Sequence, residues 1–232
     1  MQNYLIIGAS GGIGKELAMQ LAGSGKKVTA TYNKNEPDFE NPEINFHQLN
    51  VLDDDLSLDF LPDELAGLVY CPGSINLKPF GRIKPEEFVE DYKLQVVGAI
   101  RIIQMVINKL KQAENASIVL FSTVAVQSGF TFHSQVSASK GAIEGLTKAL
   151  AAEFAPKVRV NCIAPSLTDT PLASFLLNTE QKTDANAQRH PLKRVGAAKD
   201  IAGMAAYLLS GQASWITGQI FHVDGGISSL KI

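Results

Sequence analysis

The sequence is poor in cysteine. Cys71 and Cys162 are the only two among 232 residues. That is too few for a disulfide framework, and each lies in an apolar stretch, which reads as a buried thiol in a reducing compartment. An excess of either charge is also lacking. Twenty-one basic and 23 acidic side chains leave a formal net charge of −2, and the basic ones are scattered rather than gathered into a nucleic-acid-binding footprint. No run reaches the roughly 18 apolar residues a membrane-spanning helix requires. The opening NYLIIGAS is not a basic segment followed by a long apolar stretch and a cleavage site, so a soluble cytoplasmic protein is expected, with neither nucleic acid nor membrane as partner. His and Cys do not recur at metal-ligand spacing, so no metal is expected, and HSQ at 133–135 is no hydrolase triad. Without a linker, low-complexity tract or short-period repeat, one domain over 1–232 is the simplest division.

What is present is an ordinary globular balance, 45% hydrophobic and 19% charged, arranged as alternating β-type and helical segments. YLIIG (4–8), KVTATY (27–32), INFHQL (44–49), AGLVYC (66–71), SIVLFS (117–122), VRVNCIA (158–164) and QIFHVD (219–224) read as strands. Helical patterns fall at Gly12 to about Ser24, about Pro85 to Lys111, Ser137 to about Phe154, and about 198–210. In the second of these, Val96, Ile100, Ile103, Ile107 and Leu110 form an apolar stripe, and Pro85 suits a first turn. The alternation predicts an α/β fold: a doubly wound parallel sheet of about seven strands with helices on both faces. A polar segment at about 166–195 is expected to be mobile and partly helical and to cover the substrate. Its Phe175, Leu176 and Leu177 either meet substrate or pack the cover on the body. Ligands of such sheets bind beyond the strands' carboxyl ends, here near Gly8, Tyr32, Asn50, Cys71, Ser122 and Pro165.

The first strand ends in GASGGIG, with glycines at 8, 12 and 14. Glycine lets a backbone approach a ligand closely, and the helix that follows offers free N–H groups and a positive dipole end to a phosphate. The alternative is a glycine-rich turn with no ligand. After the second strand stand Tyr32, Asn33 and Lys34. A carboxylate there would bind an adenosine 2′-hydroxyl and repel a 2′-phosphate. Lys34 could instead neutralise the phosphate, which favours NADP(H) over NAD(H), unless it is merely a solvated surface charge.

Taken together, GASGGIG, SASKGAIEGLTKALAAE (137–153), NCIAPSLTDTPL (161–172) and WITGQIFHVDGG (215–226) resemble the short-chain dehydrogenase/reductase family over nearly the whole chain. The resemblance implies a Rossmann-type fold, a nicotinamide coenzyme, and hydride exchange with a small carbonyl compound or its alcohol. It also implies a homodimer or homotetramer built through two long central helices; Ala138, Ser139, Gly141, Ala142 and Gly145 would allow close packing there, or could face the sheet. Coenzyme contacts carried over from the family fall on Gly8, Ser10, Gly12, Ile13, Gly14, Asn33, Lys34, Asn50, Val51, Gly73, Lys140, Pro165, Thr168 and Thr170. The family's catalytic Ser, Asn, Tyr and Lys register on Thr123, Gln95, Val136 and Lys140. The threonine keeps a hydroxyl and the glutamine an amide, but valine has no hydrogen-bonding side chain. Two further departures are YCPG (70–73) for Asn-Asn-Ala-Gly and Pro165-Ser166 for Pro-Gly.

The missing tyrosine matters because hydride addition to a ketone makes an alkoxide that must be protonated. A free phenol has a pKa near 10, about three units too high, and an ammonium one helical turn away lowers it. General acid catalysis contributes about 10²–10⁴ in rate. Lys140 acting through a water is one substitute. Thr123 can orient a substrate but is a poor acid, and His133 reads as an exposed loop histidine. Two readings follow: an NADP(H)-dependent oxidoreductase with an altered proton relay, or a dinucleotide-binding protein without ordinary turnover, serving as a sensor or partner subunit.

Overall fold

A computed structural model describes residues 2–231. Seven strands form one parallel sheet: β1 (Asn3–Ile7), β2 (Lys27–Tyr32), β3 (Ile44–Gln48), β4 (Gly67–Tyr70), β5 (Ala116–Phe121), β6 (Val158–Pro165) and β9 (Ile220–Val223). Their order is β3-β2-β1-β4-β5-β6-β9, and every neighbouring pair is parallel. A minor pair, β7 (Thr168–Asp169) and β8 (Gly196–Ala197), stands apart. The chain reverses direction across the sheet between β1 and β4, and a crevice opens at such a switch point.

The strands are apolar on both sides because both faces are covered. In β1, Leu5 and Ile7 point into one core and Tyr4 and Ile6 into the other. The first core is closed by α3 (Gly98–Leu110) and α5 (Ser134–Phe154), the second by α1 (Gly12–Gly23) and α7 (Ala198–Leu209). The predicted strand and helix positions agree with these to within a few residues.

Two features differ from expectation. The helix expected over 85–111 is broken into α2 (Pro85–Tyr92), a π turn at Lys93–Val97, and α3. A short α4 (Ala125–Ser128) precedes α5. The polar segment at 166–195 is partly helical, as expected: a 3₁₀ stretch over Pro171–Leu176 leads to α6 (Glu180–Arg189), whose N-cap Thr179 accepts from the Lys182 N–H at 3.2 Å. That side-chain acceptor offsets the lack of an apolar stripe. Among the described residues no helix is long and apolar enough to cross a membrane.

Candidate active site

A cleft of about 620 Å³ opens at the carboxyl ends of β1, β4, β5 and β6. Its first wall is the glycine turn. Gly8 has φ +80°, and a Cβ there would press on the Pro72 ring at 3.3 Å. On Gly14 a Cβ would stand 2.2 Å from the Gly8 carbonyl oxygen, a distance no packing relieves. The absent side chains let α1 start directly against β1. Its N-cap, Gly11, supplies no side-chain cap, and the Gly11–Gly14 backbone lines the cleft together with Gly8 and Ser10. Thr170 packs over this turn, 3.3 Å from where a Gly12 Cβ would be, and Pro165, Thr168 and Thr170 continue the wall.

At the end of β2 the cleft meets Asn35. Asn33, Lys34, Asn50 and Val51 lie outside its lining. The Asn33 carbonyl accepts from Gln48. Asn50 folds its side chain back onto Asp53 and the Leu52 N–H, and Val51 is buried beneath Gly98. Lys15, one residue past the glycine turn, pairs with Asp38 at 2.6 Å and lies over the Phe39 ring.

The opposite end holds the expected catalytic positions. Thr123, Val136, Lys140 and Gln95 all line the cleft. Thr123 Oγ1 accepts from the Ala125 N–H at 3.3 Å, which leaves its own hydrogen for another acceptor. Val136 is 7% exposed and presents hydrocarbon one turn before Lys140. Burial lowers the Lys140 ammonium to about 8, against the opposing pull of Cys162, Asp91 and Cys71. Both cysteines are free thiols, pushed up by burial to about 12.

Gln95 sits in the π turn, a feature that often marks functional sites. Its Nε2 donates to Asp91 at 2.7 Å. Its Oε1 is enclosed without a partner, 3.4 Å from where a Gly73 Cβ would be, and Lys140 Nζ is 3.8 Å from the same point. Asp91, itself buried, also accepts from Ser74 and, at 2.5 Å, from Ser139. Ser139 thus faces inward rather than serving a helix–helix surface, while Ala138 and Gly145 are exposed. The turn is held from beneath by Tyr70, whose hydroxyl donates to the Leu94 carbonyl at 2.6 Å; Gly98 leaves room for that phenol, since a Cβ would come 2.3 Å from its oxygen. Burial raises the Tyr70 phenol well above its ordinary value, and it is not part of the cleft lining, so it does not replace the tyrosine missing at 136.

The cover is formed by the 3₁₀ stretch and α6. Of the three apolar residues expected there, Leu176 lines the cleft while Phe175 is exposed. The Arg189 guanidinium lies over the Phe130 ring at 5.7 Å, joining the cover to the loop before α5. His133 is also in the lining, its Nδ1 2.8 Å from the Thr131 carbonyl. Two lining residues were not expected from the sequence. Ser166 Oγ is 2.8 Å from His190 Nε2, and His190 Nδ1 is 2.8 Å from the Asn186 carbonyl. The Ser for Gly change at 166 was legible. Its partner, 24 residues away, had no signal.

Comparison with known proteins agrees with this architecture. The family model described as Enoyl-(Acyl carrier protein) reductase matches residues 8–228. The chain is 31% identical to the 3-oxoacyl-[acyl-carrier-protein] reductase of Vibrio cholerae, covering 96% of each protein. It is 30% identical to a tropinone reductase homolog of Arabidopsis thaliana, over 97% of this chain and 91% of that one. A second Arabidopsis tropinone reductase homolog is 37% identical over 162 residues, which span 69% of this chain and 62% of the relative. Among solved structures, ligand-free aldohexose dehydrogenase of Thermoplasma acidophilum superposes with a TM-score of 0.92 at 27% identity, over 99% and 95% of the two chains. ElxO with NADP bound superposes with 0.90 at 26% identity, over 99% of each.

Proposed function

This chain belongs to the short-chain dehydrogenase/reductase family, and from that premise we propose that it is an NADP(H)-dependent oxidoreductase for a small carbonyl compound or its alcohol, with a proton relay altered around Val136. The observation that carries the reading is Lys140, retained in the cleft wall beside Gln95 and Gly73 although the tyrosine position is hydrocarbon. The residues present fit a nicotinamide dinucleotide. The Gly8–Gly14 turn is a cradle that side chains would fill, and Gln95 Oε1 is an enclosed acceptor without a partner. The NADP-bound structure among its neighbours supports the choice of coenzyme.

Gly12, Ile13 and Gly14 offer backbone N–H groups to the pyrophosphate, with Thr170 packed over the same turn near the phosphates, Lys34 neutralises a 2′-phosphate, and Thr168 continues the cleft wall. When bound, the coenzyme supplies or accepts the hydride. Thr123 orients the substrate oxygen with its free hydroxyl hydrogen. Lys140 holds the ribose, and its ammonium, lowered by burial to about 8, keeps a positive charge beside the reacting carbonyl. The free thiols fit a cytoplasmic setting, and the exposed small residues of α5 with Val97 and Met105 fit a homodimer or homotetramer.

The test is calorimetric titration with NADPH and NADH, followed by turnover assays on activated ketones. Tight NADPH binding with measurable turnover supports the reading, and affinity for neither coenzyme refutes it. Because Val136 offers no proton, a second reading stands beside it: a dinucleotide-binding sensor or partner subunit, which binding without turnover would favour.

A further inference from the structure

His190 is 3% exposed, and both its ring nitrogens are engaged. The Asn186 carbonyl can only accept, so Nδ1 carries a hydrogen. Nε2 then faces Ser166 Oγ in one of two states. In the neutral ring, Nε2 is a lone pair and takes the serine hydrogen. In the charged ring, Nε2–H donates to Oγ, and the serine hydrogen turns away from the imidazole. The direction of the Ser166 hydroxyl is therefore tied to the protonation of a buried histidine.

The pair lies at the chemical end of the cleft. The Val124 N–H donates to the Pro165 carbonyl at 3.1 Å, so Thr123 and Ser166 stand just past the ends of adjacent strands, separated by roughly the 5 Å strand spacing. Ser166, His190, Thr123, Val136 and Lys140 line one cavity. The ring is bounded by Asn186 and Arg189 from α6, by Gly225 behind Cδ2, and by a smaller cavity shared with Arg194, Asp200 and Asp224. Those charges are occupied: Arg194 pairs with Asp200 at 2.6 Å, Asp224 binds the Gly226 N–H and Ser228, Arg189 lies on Phe130, and Lys193 donates to the Gln188 carbonyl.

We propose that Ser166 is a catalytic proton donor and acceptor for the substrate oxygen, recharged by His190, so that the Ser166–His190 pair does the work the family assigns to tyrosine. This rests on the oxidoreductase reading above. In reduction, hydride from a reduced nicotinamide dinucleotide adds to the carbonyl carbon. The carbonyl oxygen takes the Ser166 proton, Ser166 Oγ takes the Nε2 proton, and His190 is left neutral. Oxidation of the alcohol runs the same transfers in reverse.

The experiment compares wild type, Ser166→Ala and His190→Gln. Imidazole nitrogen NMR of the coenzyme-free protein defines the titration of His190, and Ser166→Ala is expected to shift its Nε2 resonance. NADPH affinity is expected to stay unchanged in both variants. For 2,3-butanedione with NADPH, kcat/KM is expected to fall about 10²-fold or more. The pH limb that coincides with the His190 titration disappears, while the limb of Lys140 near 8 remains. An undiminished rate, or a lowered rate that keeps the His190 limb, overturns the proposal. If wild type binds NADPH but leaves the dione unreduced, the proposal fails and coenzyme binding stands. If it binds neither coenzyme, the oxidoreductase reading itself fails. Should His190→Gln not fold, Ser166→Gly carries the same comparison.

Discussion

Gln95 and Asp91 lie one turn apart, and the amide Nε2 donates to the carboxylate at 2.7 Å. Because an ionised carboxylate only accepts, this bond fixes which end of the amide meets Asp91 and which end stands near Lys140. Asp91 also gathers the hydroxyls of Ser74 and Ser139. Asp91→Ala would strand these buried donors, and a stability loss of about 2–4 kcal/mol is expected, read as a lower urea midpoint. An unchanged midpoint would mean that the network contributes nothing to the fold.

Val136 is enclosed in the cleft wall one turn before Lys140. Val136→Tyr places a phenol where the lysine can lower its pKa. Ketone reduction is expected to rise by about 10²–10⁴ if only the acid is missing. Stopped-flow measurement of NADPH oxidation checks this. No gain with NADPH still bound would mean that the relay or the pocket has been rebuilt beyond the tyrosine.

Lys140 titrates lower in the folded protein, at about 8, than an unfolded lysine at about 10.4. Between these values the unfolded chain holds the extra proton, so stability rises with pH across that window, and the penalty is complete below about 8. Lys140→Met should flatten the rise, as seen in urea midpoints at pH 7.5 and pH 10. The same titration removes the ammonium charge from the cleft wall above about pH 8, so the reductive rate should fall there.

Lys34 is exposed beside the cleft opening at Asn35. NADPH is expected to bind more tightly than NADH, and Lys34→Ala should narrow the difference by about fivefold, the scale of one exposed phosphate–ammonium contact near 1 kcal/mol. Equal affinities in the wild type would remove Lys34 from the site.

The seven strands were legible because each is a short apolar run bounded by turn residues, and a sheet covered on both faces leaves little else for such runs to do. Thr123, Val136 and Lys140 could be placed by registering their segments on the family's catalytic pattern. The π turn could not: it depends on the Tyr70 hydroxyl reaching the Leu94 carbonyl and on Gly98 admitting the ring, contacts between segments 24 or more residues apart. The partly helical character of the 166–195 segment was legible, but the contacts that hold it were not. α6 has no buried residue and is held by its Thr179 cap, by the Arg189–Phe130 contact and by His190, none of which leaves a periodic trace. That Asn35, rather than Asn33 or Lys34, lines the cleft follows the bends at 33–35 beyond β2, which the strand pattern does not encode.

The widened turn at Lys93–Val97 also has a consequence for insertions and deletions. A π turn accommodates one residue more than an α turn. Deleting a single residue there would let the whole stretch from Pro85 to Leu110 run as one regular helix. Because the wide turn absorbs that residue, α2 would keep its present face, whereas a residue added and wound into regular helix would turn α2 through about 100° about α3 and carry Asp91 away from Ser74 and Ser139. At this point the loss of one residue is therefore absorbed, while a gain is a single genetic step that dismantles the polar support of the cleft and leaves the sheet intact.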